Sequence, residues 1–223
     1  MTVDERIVAG LRAQLERRRD LLAAGAEPVG WKIGFNLPEV QARLGIDAPV
    51  VGHLTTAALL APGWPYTLDG ARVIAESEVA VHLGADVSPD AGAEEAAAAI
   101  AGLSPAIELT DPPVGLDDLE RVLLDNVFHR AVLIGAPVAA GLEGVRARTL
   151  LNGAEQGDVD ALAATGDPVG VVRHVATLLG AAGERLRAGD RIIAGAMQLA
   201  MPSPGDVLEL DLGTLGRVEL AFA

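Results

Sequence analysis

The sequence predicts an α+β domain whose strands gather toward the C-terminal end. Three observations carry that expectation. Residues 72–83, RVIAESEVAVHL, alternate with a period of two. Three more strand-like runs close the chain, at 191–196, 207–212 and 217–222. The helical patterns do not alternate with strands regularly enough for a doubly wound sheet, and neither an internal repeat nor a linker divides the chain.

Taken in order, residues 3–24 read as an amphipathic helix. Ile7, Leu11, Leu15 and Leu22 recur at roughly helical spacing, and Thr2 with Glu5 has the form of a capping box. Arg12, Arg17, Arg18 and Arg19 then fall largely on the solvated side. GAEPVGWKIGFN is a turn leading into a short strand, with Val29, Trp31, Ile33 and Phe35 on one face and Lys32 and Gly34 on the other. Pro38 suits the first position of a short helix through Leu44 that Gly45 ends. Residues 50–70 read as loops with a strand or two. Helices are expected at 89–101 and 115–124, separated by the short apolar run 105–109, with a further strand at 131–134. Asp167 and Pro168 supply the cap and first turn of a helix reaching about Leu179, with Gly180 and Gly183 suited to its end. The last two strands are joined across Gly213 and Gly216 in a hairpin-like turn.

Composition narrows the function. The 223 residues hold 17 Lys+Arg against 31 Asp+Glu, and no Cys. A chain of this length buries about 70% of its unfolded surface. The absence of Cys excludes a disulfide scaffold, a thiol nucleophile and a Cys-ligated zinc or iron–sulfur site. A net charge of -14 argues against a nucleic-acid or anionic-membrane partner. The first twenty residues lack the apolar stretch of a signal peptide, and apolar runs fall far short of the ~20 residues that span a bilayer. A cytoplasmic globular protein is the expectation. Of the 17 cationic residues, one alone is a lysine, Lys32. A lysine kept where arginine otherwise serves throughout points to work that a guanidinium cannot do, such as passing a proton.

The chemistry centres on residues 72–83. Side chains alternate on a strand, so Ile74, Glu76, Glu78, Ala80 and His82 share one face. Two carboxylates therefore point the same way, about 7 Å apart at their α-carbons. Unpaired, they repel by about 2 kcal/mol at an effective dielectric near 20, besides the cost of desolvating them. A cation between them removes both penalties; the same spacing also fits the solvated face of an edge strand. Glu108 interrupts a second apolar run, between Ile107 and Leu109, where a salt bridge to Arg72 or Arg130 is the plain alternative. Three carboxylates without Cys suit a hard ion, Mg²⁺ or Mn²⁺.

The motifs GWKIGFN, QARLGIDAPVVGHL, IAESEVAVHLG, PAIELTD, DN, LNG, LRAGDRIIAG and PGDVLELDLGTLGRVEL occur in that order from about Gly30 to the C-terminus. The chain thereby resembles the fumarylacetoacetate hydrolase superfamily, in the branch of 2-oxopent-4-enoate hydratases and 4-oxalocrotonate decarboxylases of aromatic catabolism. The resemblance implies a mixed β-roll or sandwich with flanking helices. It also implies a helical segment over 1–28 and a catalytic domain over 29–223. It implies one Mg²⁺ or Mn²⁺ held by Glu76, Glu78 and Glu108, and an active-site lysine at Lys32. The expected substrate is a short unsaturated 2-oxo acid that chelates the ion and reacts through an enolate. The expected assembly is a homo-oligomer, with a partner enzyme of the same pathway as a plausible companion.

The chain also departs from the branch. The acidic residue usual after Leu54 is replaced by Thr55, Thr56, Ala57 and Ala58. The Ser or Thr usual after Gly195 is replaced by Ala196, Met197 and Gln198. The small hydroxylated stretch after Asn126 is replaced by Val127, Phe128, His129 and Arg130. His129 is accordingly taken as a catalytic replacement, with Thr56, Asn126 and Gln198 as substrate-binding candidates. His82 is a candidate fourth polar group on the glutamate face, whereas His53 and His174 lack ligand spacing. The metal half of the site is kept and the proton-transfer half altered. Three functions follow as alternatives: a lyase (hydratase or decarboxylase), an acylpyruvate-type C–C hydrolase, or a repurposed member that binds a ligand or partner enzyme.

Overall fold

The computed structural model describes residues 3–69, 72–113 and 118–223. It shows two sheets with helices packed around them. The element order is α1 (Glu5–Ala23), β1 (Pro28–Gly34), α2 (Pro38–Leu44), β2 (Val50–Thr55), β3 (Ile74–Leu83), α3 (Ala93–Ala99), β4 (Ile100–Thr110), α4 (Leu119–Leu124) and β5 (His129–Ile134). It continues with β6 (Arg146–Leu151), β7 (Ala154–Asp160), α5 (Ala161–Thr165), α6 (Pro168–Ala182), β8 (Arg191–Ala200), β9 (Val207–Asp211) and β10 (Arg217–Ala221).

The larger sheet has the order β2-β1-β8-β3-β4-β5. It is mixed, since β1 runs parallel to β8 and every other pair is antiparallel. Its two outer strands are brought together: the chain just past β2 donates Leu60 N–H to Val132 O of β5 at 2.8 Å. The sheet therefore curls into a roll, which removes two exposed edges. One residue from each strand fills the interior, namely Val29, Leu54, Ile193, Ala80, Ala106 and Val132. Two of the six are alanines, so the wall can curve tightly.

The outer face of the roll joins the main core. Ile7, Leu11 and Leu15 of α1 pack there with Trp31, Ile33, Val79, Val81, Val172 and Leu179. Trp31 ties three elements together: its Nε1 donates to Asp190 Oδ2 at 3.1 Å, and Arg18 stacks on its ring at 4.7 Å. The second sheet, β10-β9-β6-β7, is wholly antiparallel and packs β9 and β10 against β4. Among the described residues no helix is long and apolar enough to cross a membrane.

Most expected elements appear, with physical corrections. Asp4 caps α1 by accepting from Arg6 N–H at 2.9 Å, while Thr2 lies outside the described residues. The helix expected over 89–101 is confined to α3, because the chain extends at Ile100 into an eleven-residue strand. Of the helix expected at 115–124, residues 114–117 lie outside the described residues, and α4 begins at Leu119. β6 and β7 were not foreseen: their patterns are half polar because one sheet face meets solvent. Val29 does not share the face of Trp31 and Ile33, because a bulge between Pro28 and Gly30 turns it into the roll. Phe35 leaves the strand altogether with φ at 60°.

Candidate functional site

The inner face of the roll is layered along its axis. At one end His82 and Ser104 Oγ share a buried hydrogen bond at 2.8 Å. The apolar plug fills the middle. At the other end stand Glu76 and Glu78 of β3, Glu108 of β4 and Lys32 of β1. Glu76 and Glu108 are directly paired across the ladder, an arrangement that is unfavourable for two like charges. Glu78, two residues along the same face, completes the cluster. One carboxylate oxygen from each of the three lies within 4.8 Å of the others.

Lys32 balances the cluster. Its Nζ lies 2.5 Å from Glu108 Oε1 and donates to Val127 O at 3.2 Å. Gly52 on β2 makes room, since a Cβ there would stand 2.9 Å from Lys32 Cγ. The segment Asn126–Phe128 that presents Val127 O has three successive positive φ values of 50°, 54° and 60°. Strain of this kind persists where the surroundings over-determine it. Here Asn126 supplies that constraint: its Oδ1 accepts from His53 N–H at 2.7 Å and its Nδ2 donates to His53 O at 2.9 Å.

Burial and charge pull each group differently. Burial alone would lower the Lys32 pKa, but Glu108, Glu76 and Glu78 outweigh it and hold the ammonium above its ordinary value. Burial pushes Glu78 well up, reinforced by Glu108 and Glu76. Glu76 is raised by burial, against the pull of Lys32. Burial would raise Glu108 too, yet Lys32 and then His129 bring it below the usual carboxylate range.

β8 shapes the neighbouring wall. Glu78 pairs with Gly195 but Ser77 pairs with Gln198, so Ala196 and Met197 form a bulge opposite the glutamates. Gly195 takes φ at 149° with Glu78 Cα 3.2 Å from where a Cβ would sit, so only glycine fits this crossing. The backbone N–H of Ala196 faces the Glu78 carboxylate and favours its ionised form, against the larger effect of burial. Glu76, Glu78 and Lys32 open into a cavity of about 550 Å³, within the range of small-molecule sites.

The structure brings Lys32, Glu76 and Glu78 into the cavity wall, with Glu108 buried directly behind them. It does not bring the remaining candidates there. Thr56 spends its hydroxyl accepting from Glu27 N–H at 2.8 Å. Asn126 is consumed as the strut to His53. Gln198 donates to Gln156 O at 3.2 Å, because the bulge shifts the strand's facing and turns it toward β7. His129 reaches Glu108 Oε1 through Nδ1 at 2.7 Å, but it lines a separate cavity with His53, Asn126 and Gln14. It is a partner that positions Glu108 rather than a wall of the first cavity. His82 belongs to the opposite end of the roll, where burial and the Arg191 charge push it down to about 4.

Three contributors went unforeseen. Thr110 Oγ1 donates to Glu76 Oε1 at 2.6 Å; its place two residues beyond Glu108 on the same face was a usable signal. Asn36 Oδ1 is buried at the cavity wall without a partner. The Ala196 N–H is a backbone group and carries no sequence signal.

The family model of the fumarylacetoacetate (FAA) hydrolase C-terminal domain matches residues 32–222. The chain belongs to the fumarylacetoacetate hydrolase family. Within that family, 4-oxalocrotonate decarboxylase of Pseudomonas putida is 30% identical over 221 residues, covering 94% of this chain and 83% of the relative. The 2-hydroxyhexa-2,4-dienoate hydratase of Comamonas testosteroni is 27% identical over 211 residues, covering 90% and 80%. A solved structure of 4-oxalocrotonate decarboxylase from P. putida G7, complexed with magnesium and adipate, superposes with a TM-score of 0.86 at 26% identity, covering 94% of this chain and 83% of that one. The fold is thus the family's, and its similar members are hydratases and decarboxylases.

The carboxylate end of this family member's roll also fits a hard divalent cation on its own chemistry. The donor set is all oxygen, and Glu78 Oε2 and Glu108 Oε2 are both buried without a hydrogen-bond partner. Orphaned buried carboxylate oxygens are costly unless something positive meets them.

Proposed function

We propose that this chain is a divalent-metal-dependent lyase, a hydratase or decarboxylase, acting on a short unsaturated 2-oxo acid. Glu76, Glu78 and Glu108 hold Mg²⁺ or Mn²⁺. The observation that carries this reading is the convergence of three carboxylates and the chain's single lysine at the buried wall of one cavity. The ion, when bound, supplies Lewis-acid stabilisation of the charge that develops on the substrate's 2-oxygen.

The rest falls to the protein. Lys32 stays protonated at neutral pH and serves as carboxylate anchor or as the acid/base that moves a proton at carbon. His129 and Thr110 fix the orientation of Glu108 and Glu76. The bulge at Ala196–Met197 turns the Ala196 N–H toward Glu78, which favours the ionised carboxylate. Largely apolar walls keep bulk water from an enolate and strengthen every charge interaction inside. Among the described residues that line the cavity, the groups able to move a proton are Lys32, Glu76 and Glu78. That short inventory supports decarboxylation, which needs enolate stabilisation and one proton donor, more than addition of water.

One observation favours a second reading. A C–C hydrolase of acylpyruvates needs a Glu–His pair to activate water, and Glu108 with His129 makes one. His129, however, lies in the wall of the other cavity. The proposal extends to a cytoplasmic homo-oligomer that works beside an enzyme of the same catabolic sequence; the exposed Leu199 and Met201 are apolar surface for such contacts.

The test offers 2-hydroxypentadienoate, 2-oxohex-3-enedioate and acetylpyruvate with Mg²⁺, Mn²⁺ or EDTA. Loss of dienol absorbance without CO₂ marks hydration, and CO₂ release marks decarboxylation. Both are expected to vanish in EDTA. Formation of pyruvate and acid from acetylpyruvate moves the assignment to the hydrolase, and inactivity on all three with Mn²⁺ bound refutes the catalytic reading.

A further inference from the structure

A second cavity, of about 560 Å³, lies between α1, the end of β2 and the residues that follow α4. No residue lines both this cavity and the one that holds the glutamates. Three side chains in its wall carry polar atoms with no hydrogen-bond partner among the described residues. They are Gln14, at both ends of its amide, His53 at Nδ1 and His129 at Nε2. Their exposures are 0%, 6% and 8%. Gln14 sits in the buried stripe of α1 with Leu11 and Leu15, where an apolar residue would carry no unmet group. A buried amide left unpaired at both ends costs stability, so its retention calls for a ligand.

The wall also fixes the ligand's chemistry. Arg17 and Arg130 stand against Asp20 and Asp125, so the lining charges cancel. Arg17 is spent on Leu124 O, and Arg130 is held by Asp125 at 3.0 Å. The Gln14 amide offers one donor end and one acceptor end, whichever way it is turned. With its Nδ1–H toward Glu108, the neutral His129 ring presents Nε2 as a further acceptor. A carboxylate brings no donor to the Gln14 oxygen or to His129 Nε2, and an ammonium or amidinium brings no acceptor to the Gln14 NH₂. A carboxamide brings both, and can pair with Gln14 through two N–H···O bonds. Leu21, Ala57, Ala58 and Leu124 offer apolar surface beside these groups. We propose that this cavity is a second binding site, for a small uncharged molecule that carries a carboxamide on an apolar body, with Gln14 as its chief contact. The proposal does not depend on the metal or on the keto-acid reading.

The experiment uses the full chain in EDTA and three probes of one shape: benzamide, benzoate and benzamidine. They share a phenyl ring and a planar head, and differ in offering donor with acceptor, acceptors alone, or donors alone. Calorimetry ranks them, and the imidazole NMR signals of the 4 histidines report where they sit. Benzamide should bind at least tenfold more tightly than either charged probe. It should shift the signals of His53 and His129 and leave those of His82 and His174 in place. Gln14→Leu should weaken benzamide at least tenfold while unfolding at the same or a higher temperature, because the unmet amide is gone. A merely structural Gln14 would instead lower that temperature on replacement. Tighter binding of benzoate or benzamidine overturns the proposal. So does undetectable benzamide binding, binding that leaves the His53 and His129 signals unmoved, or unchanged benzamide affinity in Gln14→Leu.

Discussion

Replacing Lys32 by Met removes the one positive charge among three buried carboxylates while keeping an unbranched apolar stem. The Nζ–Oε1 separation of 2.5 Å to Glu108 corresponds to a gross attraction of about 7 kcal/mol at an effective dielectric near 20. Part of that offsets the desolvation of both ions, and breaking a buried pair by removing one partner costs about 3–5 kcal/mol. For a chain of this length that is a fall in Tm of about 6–20 °C. The assay is thermal and urea unfolding of both proteins in EDTA and again in saturating Mg²⁺. The deficit should be full in EDTA and visibly smaller with Mg²⁺, because a divalent ion replaces the lost countercharge. Adding Glu108→Gln should recover stability, so that the double-mutant cycle gives a coupling of at least about 2 kcal/mol. A Lys32→Met protein that loses under about 1 kcal/mol in EDTA refutes the idea that this ammonium balances the cluster.

Other expectations follow from the same geometry. Thr110→Val removes the hydroxyl that holds Glu76, so Mn²⁺ affinity should fall about 10–100-fold with the fold intact, as an isothermal titration would show. Asn126→Ala deletes two hydrogen bonds to the His53 backbone and should cost about 1–3 kcal/mol in denaturant unfolding, with a drop in turnover as Val127 O loses its place. His53 is pushed down to about 4, first by burial and then by the Arg18 charge. The unfolded chain, with histidine near its ordinary value, therefore binds the extra proton first. The stability due to His53 is present above about pH 6.5 and is lost as pH falls toward 4, with a slope of at most about 1.4 kcal/mol per pH unit. His53→Leu should flatten the pH dependence of unfolding in that window relative to wild type; identical slopes would contradict the assignment.

The parts of the site that were legible in the sequence are those that strand alternation exposes. Glu76 and Glu78 could be placed on one face because a strand has a period of two, and Glu108 because a carboxylate interrupts an apolar run. Lys32 stood out by being alone. The helix from Pro38 to Leu44, with Gly45 in the left-handed region at φ 63°, and the closing hairpin were readable because their punctuation is local. What failed did so where alternation breaks. The bulge at Ala196–Met197 turns Gln198, chosen for its place after Gly195, toward β7, and the one at Pro28–Gly30 turns Val29 off the face alternation gave it. The left-handed turn at Asn126–Phe128 hid that Asn126 braces backbone and that His129 supports Glu108 from behind. No local pattern announces such tertiary constraints, and the half-polar β6 and β7 lacked even a clean period.

The account stands on a divalent ion seated among Glu76, Glu78 and Glu108, and a Mn²⁺ titration of the metal-stripped protein tests this most directly. Wild type should take up one Mn²⁺ per chain, and Glu76→Ala should lose that uptake while unfolding at nearly the same temperature in EDTA. Undiminished Mn²⁺ affinity in Glu76→Ala, or no uptake by the wild type, would contradict it.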